Sequence, residues 1–283
     1  MAARLESDAS PVESSEATGP LVTVGLWLAL LVGFSPVLAD LLRVYAEHPW
    51  ARVCLLFPAL AWWAASRLEA ARPEPARWGL VLVFAGIVIE LIAVGSQLVR
   101  FGRFGLLLAL IGFCAWRGLC SRRTAFLLAW AVPLPATVIN GLSPWPEQIY
   151  GTALRGLFSS SSMPLQQLGT DLFVQARELP LIPADGGVPV LVAVAGFVWF
   201  GAIRSRVSQS TLGRFALVGV SLCVLVQGLI LLAGVLVFRD GAAASTIRSG
   251  WDLASQLSPV LMGGGLVMWM HRVAQRSLVE VSS

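Results

Sequence analysis

Residues 78–97 read WGLVLVFAGIVIELIAVGSQ, an apolar run whose one charged residue is Glu90. At 1.5 Å per residue, a helix of about 20 residues covers about 30 Å, the thickness of a bilayer core. Runs of the same kind lie on either side, over 21–42, 51–66, 102–118, 124–142, 188–204, 212–237 and 252–270. The chain is 57% hydrophobic and 13% charged, against about 25% charged in soluble domains. The expectation is an all-α polytopic membrane protein with about eight transmembrane helices in contact with the lipid bilayer. One bundle over 21–271 leaves no room for a separate soluble domain.

All twenty basic residues are arginine. Cytoplasmic loops collect positive charge, so arginine placement predicts orientation. With the N-terminus inside, twelve arginines fall on inner segments and eight on outer ones. Arg122-Arg123 and Arg204/Arg206 lie in tight inner loops, where the rule weighs most. Both termini are therefore expected in the cytoplasm, and the segment 143–187 outside as a partly ordered loop. Residues 1–20 carry Glu6, Asp8, Glu13 and Glu16 among serines, the composition of a disordered tail. No basic segment directly precedes the first apolar run, so no cleaved signal peptide is expected. Residues 272–283 read as a second cytoplasmic tail. The net charge of +4 is too small and dispersed for a nucleic-acid partner.

The fifth run ends in Ala131-Val-Pro-Leu-Pro-Ala136. Two prolines in three residues break a helix. Beyond them, Ile149, Tyr150, Ala153, Leu154, Leu157 and Phe158 recur at helical spacing between Glu147 and Phe158, which predicts an amphipathic helix on the outer membrane surface. Ser159 to Ser162 reads as a linker, and 172–182 as a short hairpin. Asp185-Gly186-Gly187 is a turn opening the sixth run.

Several chemistries lack their residues. A zinc site needs converging His, Cys or acidic ligands, but His48 and His271 are the two histidines and fall on opposite faces in this topology. No metal and no cofactor is expected. Cys54, Cys114, Cys120 and Cys223 read as small core residues. Gly263-Gly-Gly265 has no following Lys and lies inside a run, so close helix packing is its expected use. Polar residues inside the spans are few, and each is a candidate site. Glu90 and Gln227 fall in the outer half of their spans. Asp40, Gln97, Asp185, Arg239, Asp252 and Gln256 lie near outer ends. The expected site is a polar cavity open to the outside, formed by Glu90, Asp185, Gln227 and Arg239, with Arg239 as partner for Glu90.

The arrangement resembles the exosortase/archaeosortase family of polytopic membrane transpeptidases. An outer loop holds His48, Pro133-Leu-Pro135 ends a span ahead of Asn140, and an amphipathic segment and strand-like stretch precede the next span. The resemblance covers most of 21–270. It implies a bacterial inner-membrane protein that acts on exported proteins near a C-terminal sorting helix, with a cysteine, an arginine and a histidine at the outer face. The sequence departs from that chemistry. The family's Glu-Ala-Cys-Ser-Gly falls on Pro183-Ala-Asp185-Gly-Gly187, with Asp185 at the cysteine position. The family's Asn and Arg of the following span fall near Gln227 and Ile230, and its histidine on 245–256, where there is none. A carboxylate is a poor nucleophile toward an amide, whereas the family's reaction needs a thiolate.

The expected function is that of a catalytically degenerate relative, without cysteine transpeptidase activity. It would bind or help sort exported proteins with C-terminal membrane helices, or partner an active sorting enzyme. The alternatives are a membrane transporter of a small or lipid-linked solute, and a membrane enzyme that uses Asp185 or Glu90 as an acid.

Overall fold

In a computed structural model of the chain, the described residues are 20–69, 73–142, 144–159, 165–168, 171–174, 177–178, 187–206, 209–238 and 245–282. Among these residues, eleven α-helices and three short strands follow in order: α1 (Pro20–Gly33), α2 (Ser35–Glu47), α3 (Leu56–Arg67), α4 (Trp78–Gly95), α5 (Val99–Trp116), α6 (Arg122–Ala125), α7 (Ala136–Leu142), α8 (Pro144–Phe158), β1 (Leu165–Leu168), β2 (Asp171–Val174), β3 (Arg177–Glu178), α9 (Gly187–Arg204), α10 (Gln209–Phe238) and α11 (Ser245–Ser282). Among the described residues, three helices are long and apolar enough to cross a membrane: α4, α5 and α10. A fourth crossing results if α1 and α2 count as one bent span. Val81, Phe84, Leu91, Leu217 and Leu225 on these helices are exposed, as expected of side chains that face lipid. These apolar helices point to a membrane protein.

Several expected spans are broken. The run 21–42 bends by 71° between α1 and α2, where Pro36 lies in the first turn of α2 and cannot donate a backbone hydrogen bond. The run 51–66 opens with a 3-10 segment, Pro49–Leu55, leaving α3 with 12 residues, roughly 18 Å of helix. The run 124–142 divides into α6, a 3-10 segment Phe126–Ala131 and α7, with the Pro133–Pro135 break between them. The expected tail 272–283 instead continues α11, a helix of 38 residues with Pro259 inside it.

The amphipathic helix expected between Glu147 and Phe158 is α8. It turns Leu154 inward and leaves Trp145, Ile149 and Leu157 exposed. The Tyr150 hydroxyl donates to the Val224 carbonyl at 3.3 Å, tying α8 to α10. The expected hairpin is a three-stranded antiparallel meander. It begins earlier than 172–182, with Leu165 paired to Val174 and Phe173 to Glu178.

Two helix groups build the core. In the first, α4 and α5 form an antiparallel pair with α2 laid against α5. In the second, α9 is the hub, packed on α10, α11, α3 and the Phe126–Ala131 segment. Phe57 and Phe197 meet at its centre with ring centroids 5.3 Å apart. At the end of the bundle read as cytoplasmic, Glu69 takes hydrogen bonds from the Ser121 backbone (2.9 and 3.0 Å) and from the Thr124 hydroxyl (2.6 Å). That carboxylate fixes the α5–α6 turn to the end of α3. The glycine run behaves differently from expectation. A Cβ on Gly263 would strike Phe197, 2.8 Å from its Cβ, whereas Gly264 and Gly265 face open space. One of the three glycines therefore permits close packing.

Candidate functional site

The end of the bundle read as outer carries a cleft of about 590 Å³ between α2, the α4–α5 turn, the first turns of α5 and the chain after the Pro-Leu-Pro break. Its walls are Leu98, Val99, Phe101, Phe104, Pro135 and Val138, and its polar lining is Asp40, Gln97 and Arg100. An apolar cleft with a few converging polar groups is the usual form of a ligand site.

Each wall has a local cause. The Tyr45 hydroxyl on α2 donates to the Ala131 carbonyl at 2.6 Å. That bond holds the segment before Pro133 against α2, and Pro135 and Asp40 line the same cleft. Arg52 donates to the carbonyls of Tyr45 (3.1 Å) and Ala46 (3.0 Å), satisfying the end of α2. At the end of α4, the Leu98 backbone donates to Ala93 (2.8 Å) and the Gln97 backbone to Val94 (3.1 Å). This is the paired bonding of a left-handed helix stop. Glycine is the usual residue there, but this chain places Gln97 at φ 58°, a conformation that costs a non-glycine residue about 1 kcal/mol. The strained residue is also one of the polar groups lining the cleft.

The electrostatic centre is an ion pair across 63 residues of chain. Arg103 donates to Asp40 Oδ2 through Nη2 (2.6 Å) and Nε (2.9 Å). The arginine side chain is 4% exposed and the aspartate 25%. The pair joins α5 to α2, and its Asp40 member lines the cleft. Just below it lies Glu90, 5% exposed, with neither carboxyl oxygen hydrogen-bonded among the described residues. A Cβ on Gly102 would collide with Glu90 Oε2 and approach Val37 Cγ2 to 2.5 Å. The absent side chain of Gly102 is what leaves room for the acid between α4, α5 and α2.

Of the four residues expected to form an outer cavity, Glu90 and Gln227 are described, and they lie in different helix groups. Glu90 is in the α2–α4–α5 group. Gln227 is buried at 3% exposure in α10, which packs on α9, α11 and α8. Asp185 and Arg239 lie outside the described residues, as do the side chains of Asp252 and Gln256. His48 ends α2, and His271 on α11 is paired with Gln275 at 3.1 Å. Among the described residues, no group of three His, Cys, Asp or Glu side chains is placed to hold a metal ion. Arg103 went unrecognised in the sequence. The signal was its place as the second residue of the apolar run 102–118, where a charge demands a partner.

The comparisons with known proteins decide nothing further. No protein-family model, curated protein or solved structure matches the chain.

The strain at Gln97 gives a first expected result. Gln97→Gly should raise stability by about 0.5–1 kcal/mol, because glycine adopts the left-handed conformation freely. The same change should weaken occupancy of the cleft, from which it removes the amide. Thermal unfolding and ligand capture, measured on the same preparation, should move in opposite directions. Unchanged capture would make Gln97 a turn residue alone.

Proposed function

We propose that this is an integral membrane protein of exosortase-like architecture that holds a hydrophobic segment of an exported protein in the outer cleft, without cysteine transpeptidase chemistry. The observation that carries the reading is the cleft itself. Its apolar walls, Phe101, Phe104 and Val138, suit a membrane-embedded segment, and Pro135 of the Pro-Leu-Pro break forms one side. Asp40, bonded to Arg103, offers a carboxylate and no thiolate, a poor nucleophile toward an amide, and Asp185 stands where the family's cysteine would fall. The remaining features of the reading belong with it: about eight crossings, an inner bacterial membrane and cytoplasmic termini.

The test uses a bacterium lacking its own sorting enzyme. The chain is expressed there with tagged exported proteins that bear C-terminal sorting helices. The expected result is intact exported protein that co-purifies with the wild-type chain and is lost with Phe104→Arg, which fills the cleft with a charge. Clipped product would overturn the non-enzymatic reading and direct attention to Asp185. Neither capture nor clipping would favour transport of a small or lipid-linked solute, for which the buried acid Glu90 is the motivating observation.

A further inference from the structure

Glu90, Asp40 and Arg103 form a set with two acids and one base, and only one acid is paired. Arg103 is committed to Asp40 through two donors on one oxygen. Glu90 is buried at 5% exposure, with both oxygens unpartnered among the described residues. An ionised carboxylate in such a place, without cation or donor, is strongly unfavourable. A neutral carboxylic acid is the form that this packing accommodates.

The charged and titratable groups near Glu90 are few. α2 contributes Asp40 and, further toward its end, Tyr45. α5 contributes Arg103 and, at the cleft, Arg100. α4 carries no other ionisable residue. Glu90 Oε2 lies against the Cβ position of Gly102, and the next residue is Arg103, one Cα–Cα step of about 3.8 Å away. The carboxyl is thus packed against the residue that precedes Arg103 on α5. Val37, which also meets the Gly102 position, is one helical turn from Asp40 on α2.

We propose that Glu90 is a proton-binding site within the membrane-spanning helices, linked through Arg103 to the cleft. In one state, Glu90 holds the proton and Arg103 pairs with Asp40. In the other, the Glu90 O–H bond has broken, its proton has passed to Asp40, and the Arg103 N–H donors have moved to the Glu90 carboxylate. The three groups are neutral in sum in both states. Asp40 lines the cleft, so the proton it receives exchanges with solution there. Glu90 has then given up its proton, and the cleft presents a neutral acid in place of an ion pair.

The test is infrared spectroscopy of the full chain in lipid vesicles, in H₂O and D₂O. Wild type at neutral pH should show the carbonyl stretch of a protonated carboxylic acid that shifts in D₂O and fades as the pH is raised. Glu90→Gln, close to isosteric, should lack the band. Asp40→Asn should lack it too, because Arg103 is then free to pair with ionised Glu90. Asp40→Glu keeps the counter-charge and should retain it. Absence of the band from wild type, or its persistence in Glu90→Gln, would overturn the proton site. Its persistence in Asp40→Asn would overturn the link through Arg103. If Asp40→Asn does not fold, the link is read from Arg103→Gln, where the band should persist to higher pH than in wild type; unchanged fading would overturn it. None of these readouts involves an exported protein, so they stand apart from the capture experiment.

Discussion

A chain carrying both Asp40→Asn and Glu90→Gln should lose about 3–5 kcal/mol of stability, well beyond the sum of the two single changes. The reason is the guanidinium of Arg103, 4% exposed. Each single variant leaves it one carboxylate. In Asp40→Asn, the linked proton site has the Glu90 carboxylate take over the pairing. In Glu90→Gln, the bonds of 2.6 and 2.9 Å to Asp40 are untouched, and the loss should be about 1 kcal/mol or less. The double variant strands a buried cation without any anion. Reversible unfolding in mixed micelles, followed by helical circular dichroism, measures all four corners of the cycle. Additive losses would mean that Asp40 and Glu90 are energetically independent, and the proton site linked through Arg103 would go with that result.

What the sequence made legible follows from where its signals are local. The run 78–97 became α4 and the run 102–118 became α5 within a few residues, because an uninterrupted apolar stretch has few other fates in a membrane. The breaks were harder to read. The run 21–42 reads as one span, yet the chain turns by 71° between α1 and α2. Composition does not report direction, and the angle depends on α2 finding Arg103 on α5. In the run 124–142 the prolines marked the stop correctly. The 3-10 conformation of Phe126–Ala131 is set by packing against α3 and α9, contacts that no local window contains.

The candidate site was legible as a set of residue types and illegible as a constellation. Asp40, Gln97 and Glu90 stood out as polar groups in apolar surroundings, and all three lie in or beneath the cleft region. Their grouping depends on α2 crossing α5, a contact between residues 63 apart. Counting depth along each helix placed Glu90 and Gln227 at similar levels, but depth is one coordinate of three. The helix pairing put them in separate groups.

Gly86→Ala should cost about 3 kcal/mol, while Gly264→Ala should be neutral or stabilise by up to about 1 kcal/mol. The two substitutions add the same methyl group to helical glycines, so propensity alone predicts a gain at both. Packing decides otherwise at Gly86. A Cβ there would meet backbone, 2.8 Å from the Ala109 nitrogen, and on the facing helix a Cβ at Gly105 would come 2.6 Å from the Gly86 carbonyl oxygen. The same closeness recurs near the other end of the pair, where a Cβ on Gly79 would lie 2.5 Å from the Gly112 carbonyl oxygen. Backbone cannot rotate aside as a side chain can, so α4 and α5 would have to separate. Gly264 faces nothing within 4 Å and pays no such cost. Thermal unfolding of the two variants beside wild type measures the contrast, and equal shifts would sink the close-packed seam. Separation at Gly86 would also disturb Glu90, one helical turn further along α4, and its fit against Gly102. The acid band expected from Glu90 should therefore broaden or shift in Gly86→Ala and stay unchanged in Gly264→Ala, which ties the packing of this helix pair directly to the site it builds.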